Sequence, residues 1–408
     1  MQFLGTSSKH FYAVFLYFLV LVNSVYTTKR RLNCTVYPKH ETYTEALNLA
    51  HITSVGDMDT VHYLWSTYKV PSVVVARTTN EAVLHVDYEK FKAMERGALD
   101  FGEEPLAYTG LTISELFEKS YSSDTSSIDK PSSEIALGLD LFKWNSISNV
   151  SFNCNDLFAS LQLDSSSKED DVLFESGLFR MQFSASAEVQ DAADYPHLVY
   201  TGNSSQVKVS FDGFHTLLNS SRTRYGMEVM VFSNPWKNCS DTECKAEVED
   251  AISDEFSPGV FSDVNLVTPC SLKGNENGTF ISWRPVAYTS KEPTVANSSD
   301  ANMGKSCPRI SVGTAHSIAE LFFEDLGVSS NVFNMTFGTE GAGFYSKTLY
   351  TEWTLMLGTG TAVHSKLSIA AIVFLSVGGL GLSVLVGSIF LVVRYFQRKQ
   401  DDDLLLVN

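Results

Sequence analysis

The chain is short of positive charge: 30 Lys and Arg stand against 47 Asp and Glu in 408 residues, a formal net charge of −17. So acidic a surface repels phosphate backbones, which excludes nucleic acid as a partner. Catalytic signatures are missing too. There is no Gly-x-Ser-x-Gly elbow, no His-Glu-x-x-His pair, no phosphate-binding loop and no dinucleotide glycine fingerprint. The nine His are scattered and none stands at ligand spacing from a Cys pair, so neither a metal nor a cofactor is expected. Carboxylates gather at Gly56-Asp57-Met58-Asp59 and from Asp250 to Glu255, without calcium-loop spacing; such runs are ordinarily solvated. No residue is singled out as catalytic, and no internal repeat is evident.

Long uncharged runs are scarce as well, and the two that exist organise the chain. Phe11 to Val22 has the length of a signal-peptide core and falls short of a bilayer span. Ile369 to Val393 carries no charge and exceeds the roughly 20 helical residues that cross a bilayer. Arg394, Arg398 and Lys399 follow it, which sets the C-terminus in the cytosol. The expected layout is a signal peptide over 1–27, a luminal region, a transmembrane helix over 367–393 and a cytosolic tail over 394–408. This is a single-pass type I membrane protein with a luminal N-terminus.

The six cysteines, Cys34, Cys154, Cys239, Cys244, Cys270 and Cys307, all fall in the luminal part. In an oxidising compartment they read as three disulfides with 15 connectivities open. Cys239 with Cys244 would close a small loop, and Cys270 with Cys307 a larger one. Eight Asn-x-Ser/Thr sequons lie on the same side, at Asn33, Asn149, Asn203, Asn219, Asn238, Asn277, Asn297 and Asn334, with none in the tail. Together they predict a glycan coat, which excludes proteases from the backbone beneath. The acidic composition fits a lysosomal lumen, where many carboxylates are partly protonated, and equally an ordinary soluble surface.

The luminal region reads as all-β and sandwich-like, on short runs rich in β-branched and aromatic residues. Strands are expected at 61–65, 72–79, 82–88, 178–189, 207–214, 225–232, 280–288 and 349–357. Helices are expected at Ser114 to Ser120 and Ser317 to Asp325. Polar stretches at 121–134 and 164–171 suggest two β units, 28–165 and 166–366, the second including the juxtamembrane linker. One continuous sandwich is the alternative.

In the membrane segment Gly379, Ser383 and Gly387 recur every four residues, a small-residue face suited to close packing on another helix. In the tail, Asp401 precedes Leu405 and Leu406 by four and five positions, the form of an adaptor-read dileucine sorting signal.

Ile252-Ser253-Asp254-Glu255-Phe256-Ser257-Pro258-Gly259-Val260-Phe261, Trp283-Arg284-Pro285-Val286-Ala287-Tyr288, Phe333-Asn334-Met335-Thr336-Phe337-Gly338 and Trp353-Thr354-Leu355-Met356-Leu357-Gly358 resemble the glycosylated lysosomal membrane protein family. His62 to Ser66 and Phe142 to Asn145 are weaker echoes. The resemblance implies a non-catalytic, heavily glycosylated accessory subunit of the lysosomal membrane. Its partner would be a multi-spanning dipeptide transporter of the major facilitator superfamily, which it stabilises and shields from proteolysis. A second copy of the chain is a further candidate partner at the membrane helix, and sorting adaptors at the tail. Two features depart from the family pattern: the tail signal is of dileucine rather than tyrosine form, and Ser329 and Ser330 stand where relatives carry a Cys. A luminal lysosomal hydrolase and a cell-surface receptor or adhesion module are the rival readings. Replacing Leu405 and Leu406 by Ala should shift the protein from lysosomes to the plasma membrane, measured by surface biotinylation; a receptor that resides at the surface would not respond.

Overall fold

The computed structural model describes residues 30–38, 47–121, 133–144, 150–167, 176–192, 194, 196–215, 222–233, 246–253, 259–268, 278–304, 307–309, 316–325, 330–339, 343–362 and 386–394. Strands dominate, as the composition predicts. The principal ones are β1 (Arg31–Tyr37), β2 (Leu49–Val55), β3 (Thr60–Ser66), β4 (Ser72–Thr78), β5 (Ala107–Ser120), β6 (Ser133–Gly138), β7 (Val150–Cys154) and β8 (Phe158–Asp164). They continue with β9 (Ser176–Ser186), β10 (Ser204–His215), β11 (Thr223–Ser233), β12 (Thr279–Trp283), β13 (Val286–Tyr288), β14 (Ser298–Met303), β15 (Ser330–Phe337) and β16 (Tyr350–Thr359).

These strands form two antiparallel layers. The front sheet runs β1-β2-β3-β4-β5-β11-β15, with β6 sharing the β4 side of the long strand β5. The back sheet runs β7-β8-β9-β10-β16, and β12 and β13 follow on the far side of β16. Residue 165 is no seam in this pairing: β5, before it, pairs along its length with β11, after it. The two β layers are two sheets, each woven from both halves of the sequence. Residues 250–262 and 364–408 cluster apart as a second unit, of which the described parts are strand ends and a helix over 386–394.

Both sides of the sandwich are closed. At one side β14 belongs to both layers: Ser298 to Asp300 pair with β13, and Ala301 to Met303 pair with β15. At the other, a disulfide joins Cys34 on β1 to Cys154 on β7, the two edge strands. Beside it the Leu32 amide donates to the Asp156 carbonyl at 2.9 Å. The crossing at β14 continues the ladder from one layer to the other, whereas β1 and β7 are held together by the bridge and this hydrogen bond.

Alternation along each strand fills the space between the layers. In β8, Ala159, Leu161 and Leu163 are buried and the residues between them are half-exposed. The inward set is rich in aromatics, and aromatic faces and edges pack well at ring distances of 4.5–7 Å. Trp283 stacks on Phe333 at 5.8 Å and meets Trp353 edge-on at 6.2 Å, and Trp353 in turn contacts Phe337. Three of the stretches that carry the family resemblance therefore converge on one cluster spanning both sheets. Polar anchors cross the core as well: Tyr63 Oη donates to the Gly202 carbonyl and Trp65 Nε1 to Ser205 Oγ.

The outer face of the front sheet carries a second apolar layer. Helices α1 (Tyr88–Ala93) and α2 (Ile318–Asp325), with residues such as Leu84, Leu99 and Phe101, cover Leu64, Val74, Tyr108, Met230 and Phe232. The expected helix at Ser317 to Asp325 is present and is started by a reciprocal cap. Ser317 Oγ accepts from the Glu320 amide, while Glu320 Oε2 accepts from the Ser317 amide. Gly110 admits the Phe323 ring; a β-carbon there would lie 2.5 Å from it.

Two sequence expectations are corrected. Ser114 to Ser120 is not a helix but the second half of β5, held between β6 and β11. A bulge at Ser114 and burial of Leu116 and Phe117 on opposite faces erase the alternation that would have marked a strand. Ala82 to Tyr88 is not a strand over its length either; only His85 and Val86 pair, with Leu99 and Asp100, before α1 begins.

The Cys34–Cys154 bridge closes a sequence separation of 120 residues, and long loops lose the most unfolded-state entropy on cross-linking. Replacing both cysteines by Ser should cost about 2–4 kcal/mol, read as a lower denaturation midpoint of the purified glycoprotein.

Candidate functional site

The sequons separate by location. Asn33 is exposed on edge strand β1 and Asn334 is exposed in the middle of β15. Asn203 and Asn297 are half-buried, and Asn297 Nδ2 donates to the Glu292 carbonyl at 3.2 Å. Asn149, Asn219, Asn238 and Asn277 lie outside the described residues. So do Cys239, Cys244 and Cys270, and only the backbone of Cys307 is described. Gly379, Ser383, Asp401, Leu405 and Leu406 are likewise outside them.

Gly387 falls within the helix over 386–394, with no heavy atom within 4 Å of the place its β-carbon would take. Val386, Ile389, Phe390, Leu391, Val392 and Val393 of this helix are all exposed. Among the described residues no helix is long and apolar enough to cross a membrane; the greater part of the expected span, 367–385, lies outside them.

Of the carboxylates singled out in the sequence, Asp59 has cationic partners, while the side chains from Asp250 to Glu255 lie outside the described residues. Asp59 sits 2.5 Å from the buried Arg30 guanidinium and 3.8 Å from that of Arg77. Among the described residues no group of three His, Cys, Asp or Glu could hold a metal ion. Glu118 is buried against β11, where Thr223 Oγ1 donates to one of its oxygens and Tyr225 Oη reaches the other. Across the back sheet the outward face is polar: Arg180 makes a two-pronged ion pair with Asp164 at 2.6 and 2.9 Å, and this contact raises the guanidinium pKa further. Lys208 bridges Asp194 and Glu352.

Two arrangements were not legible in the sequence. One is a pair of buried imidazoles: His51 Nε2 lies 2.9 Å from His62 Nδ1 with the rings stacked, and His62 Nε2 lies 3.0 Å from Thr78 Oγ1. Phe101 closes the far side of His62 edge-on at 4.8 Å. Burial without a compensating anion drives the His62 pKa down to about 4. His51 and His62 stand diagonally across the β2–β3 register, which no local pattern in the sequence gives.

The other is an open groove of about 650 Å³ on the outer face of the front sheet, beyond the part covered by α1 and α2. Lys119, Tyr121 and Arg224 come from β5, its end and β11; Asn302, Met303 and Gly304 come from β14 and its end; Asn334 and Thr336 come from β15. Arg224 Nη2 donates to Thr336 Oγ1 at 2.7 Å, and the Lys119 ammonium sits 3.7 Å from Glu134. The groove gathers cations, amides and hydroxyls together with the Asp300 carboxylate.

A family model described as glycosylated lysosomal membrane protein matches residues 48–398. Glycosylated lysosomal membrane protein A of Xenopus laevis is 28% identical over 342 residues, covering 81% of this chain and 82% of its own length. The Mus musculus protein of the same name is 28% identical over 369 residues, covering 85% of this chain and 84% of its own. The Homo sapiens protein is 26% identical over 360 residues, with 85% and 84% covered.

The His62 shift has a definite pH consequence. Its folded pKa is depressed below the ordinary 6.5, so below that value the unfolded chain takes up a proton that the folded chain refuses. The stability it contributes is present at neutral pH and is lost as pH falls from about 6.5 toward 4. His62→Gln should flatten the pH dependence of the melting temperature in that window, by about 1 kcal/mol per pH unit relative to the parent. Parallel curves for the two proteins would show that His62 titrates in the fold as it does in solution.

Proposed function

Because the chain belongs to the glycosylated lysosomal membrane protein family, a family of lysosomal membrane glycoproteins, we propose that it is a non-catalytic accessory subunit. In this reading it stabilises a multi-spanning lysosomal transporter of the major facilitator superfamily, an exporter of dipeptides, and protects it from luminal proteases. The protein is a single-pass type I membrane protein whose tail is read by sorting adaptors at Asp401, Leu405 and Leu406. The observation that carries the membrane part is the helix over 386–394, whose large apolar side chains stand exposed. Six such side chains on nine residues are unfavourable in water and at home in lipid or against another apolar helix.

The luminal body supports the same reading by its construction. Its two sheets are tied at both flanks, Tyr63 and Trp65 anchor one sheet to the other through hydrogen bonds, and its outer faces carry ion pairs and sequons. A sealed sandwich of this kind is suited to covering a neighbour's luminal loops while resisting hydrolases itself. The partner's luminal surface would be the occupant of the exposed polar faces.

The small-residue face of Gly379, Ser383 and Gly387 is assigned the close helix contact. Purification of the full-length protein in mild detergent should bring down one multi-spanning transporter in fixed proportion. Leu at both Gly379 and Gly387 should reduce that recovery and the partner's lysosomal level several-fold, as larger side chains hold the helices apart. Unchanged co-purification and partner level would remove the helix-packing assignment. A protein recovered alone or only with its own copies would remove the accessory-subunit reading.

A further inference from the structure

We infer that the groove on the outer face of the front sheet is the seat of a glycan stem: the first two N-acetylglucosamine residues of a chain on Asn334 lie in it, against Lys119, Tyr121 and Asn302. The inference rests on the protein being a glycoprotein and not on any partner.

Asn334 is the middle of a strand, not the tip of a turn. Phe333 and Met335 on either side point into the core, so the Asn334 side chain stands on the outer face of the sheet. Above it that face is covered by α1 and α2. Beside it lies the groove, of about 650 Å³, within the range of roughly 300–1,000 Å³ in which small ligands bind. The sugar stem is tethered at its rim.

The neighbouring residue makes room. The Gly304 amide donates to the Asn334 carbonyl at 2.7 Å, fixing the end of β14 alongside. A β-carbon on Gly304 would come within 3.3 Å of that carbonyl and 3.6 Å of the Asn334 β-carbon. Glycine keeps this flank open where a side chain would crowd the first sugar.

The lining matches the chemistry of an N-acetylated sugar. Such a ring has a C–H face, which suits the Tyr121 ring at the groove's edge. Its hydroxyls and acetamide carbonyl accept from donors such as the Lys119 ammonium and the Asn302 amide, and the Asp300 carboxylate accepts from hydroxyls. Lys119 and Asn302 face the opening, Asn302 as an exposed side chain. Arg224 is engaged with Thr336 Oγ1 and the Phe337 carbonyl, while Lys119 stands partly exposed beside Glu134. Because the tether raises the local concentration of the sugar, weak contacts suffice.

The test is the rate at which an endoglycosidase cuts between the two stem sugars. The full-length protein would be produced in cells blocked at the oligomannose stage, so that every occupied sequon is a substrate, and treated natively in detergent. Release would be followed site by site by glycopeptide mass spectrometry. Asn334 should be released roughly tenfold more slowly than the exposed Asn33, and the two should become equal once the chain is denatured, because native burial of the stem protects it until local opening. Lys119→Ala with Asn302→Ala should remove most of the difference. Gly304→Trp, which fills the groove, should remove it as well. An unoccupied Asn334 with other sequons occupied, equal native rates in the parent protein, or variants that leave the protection intact would each overturn the inference while leaving the glycoprotein reading standing. The parent comparison decides the matter even if a variant fails to fold.

Discussion

The closure of the two sheet edges is the constraint on which the rest depends. A sandwich of two open sheets has exposed edge strands on both sides, each with unpaired backbone groups. Here β14 passes from one sheet to the other at one side, and the Cys34–Cys154 bridge ties β1 to β7 at the other. With both flanks fixed, the inward faces are held at a set separation. The large aromatic side chains between them can then occupy single arrangements.

That aromatic core also explains what the family resemblance is about. Trp283, Phe333, Phe337 and Trp353 come from segments far apart in sequence and meet in one place. They are buried inward residues of the three strands β12, β15 and β16. The Trp and Phe of these stretches therefore serve the packing of the fold.

How much was legible in the sequence depended on whether a segment had one buried face or two. Strands β3, β4, β10, β11 and β16 were visible because β-branched and aromatic residues cluster there between turn-formers. The second half of β5 read as a helix because Leu116 and Phe117 are buried on opposite faces, one in the core and one across Gly226. Strand β1 was not among the expected strands although Arg31, Asn33 and Thr35 alternate with Leu32, Cys34 and Val36; only its cysteine and sequon were noted. Of the candidate site, the sequence supplied Asn334 but not its surroundings. Lys119, Arg224 and Asn302 become neighbours only through the pairing of β5 with β11 and of β14 with β15, which no local pattern encodes. The His51–His62 contact is hidden for the same reason: it is a property of register.

The position of β16 has a consequence for how the molecule is made. This last strand of the sandwich lies in the interior of the back sheet, between β10 and β12. Likewise β15, also late in the chain, completes the front sheet against β11. Neither layer can therefore finish while the polypeptide is still emerging into the lumen, and the pairings of β5 with β11, β11 with β15 and β10 with β16 must wait for distant partners, as the Thr109 to Phe232 contact illustrates. Chains so rich in non-local contacts fold slowly. During that interval the strands that will become interior are accessible to the enzymes that decorate nascent chains, so a sugar can be installed at a mid-strand asparagine before the surface beneath it exists. Maturation of this protein is then a matter of assembly around modifications already in place.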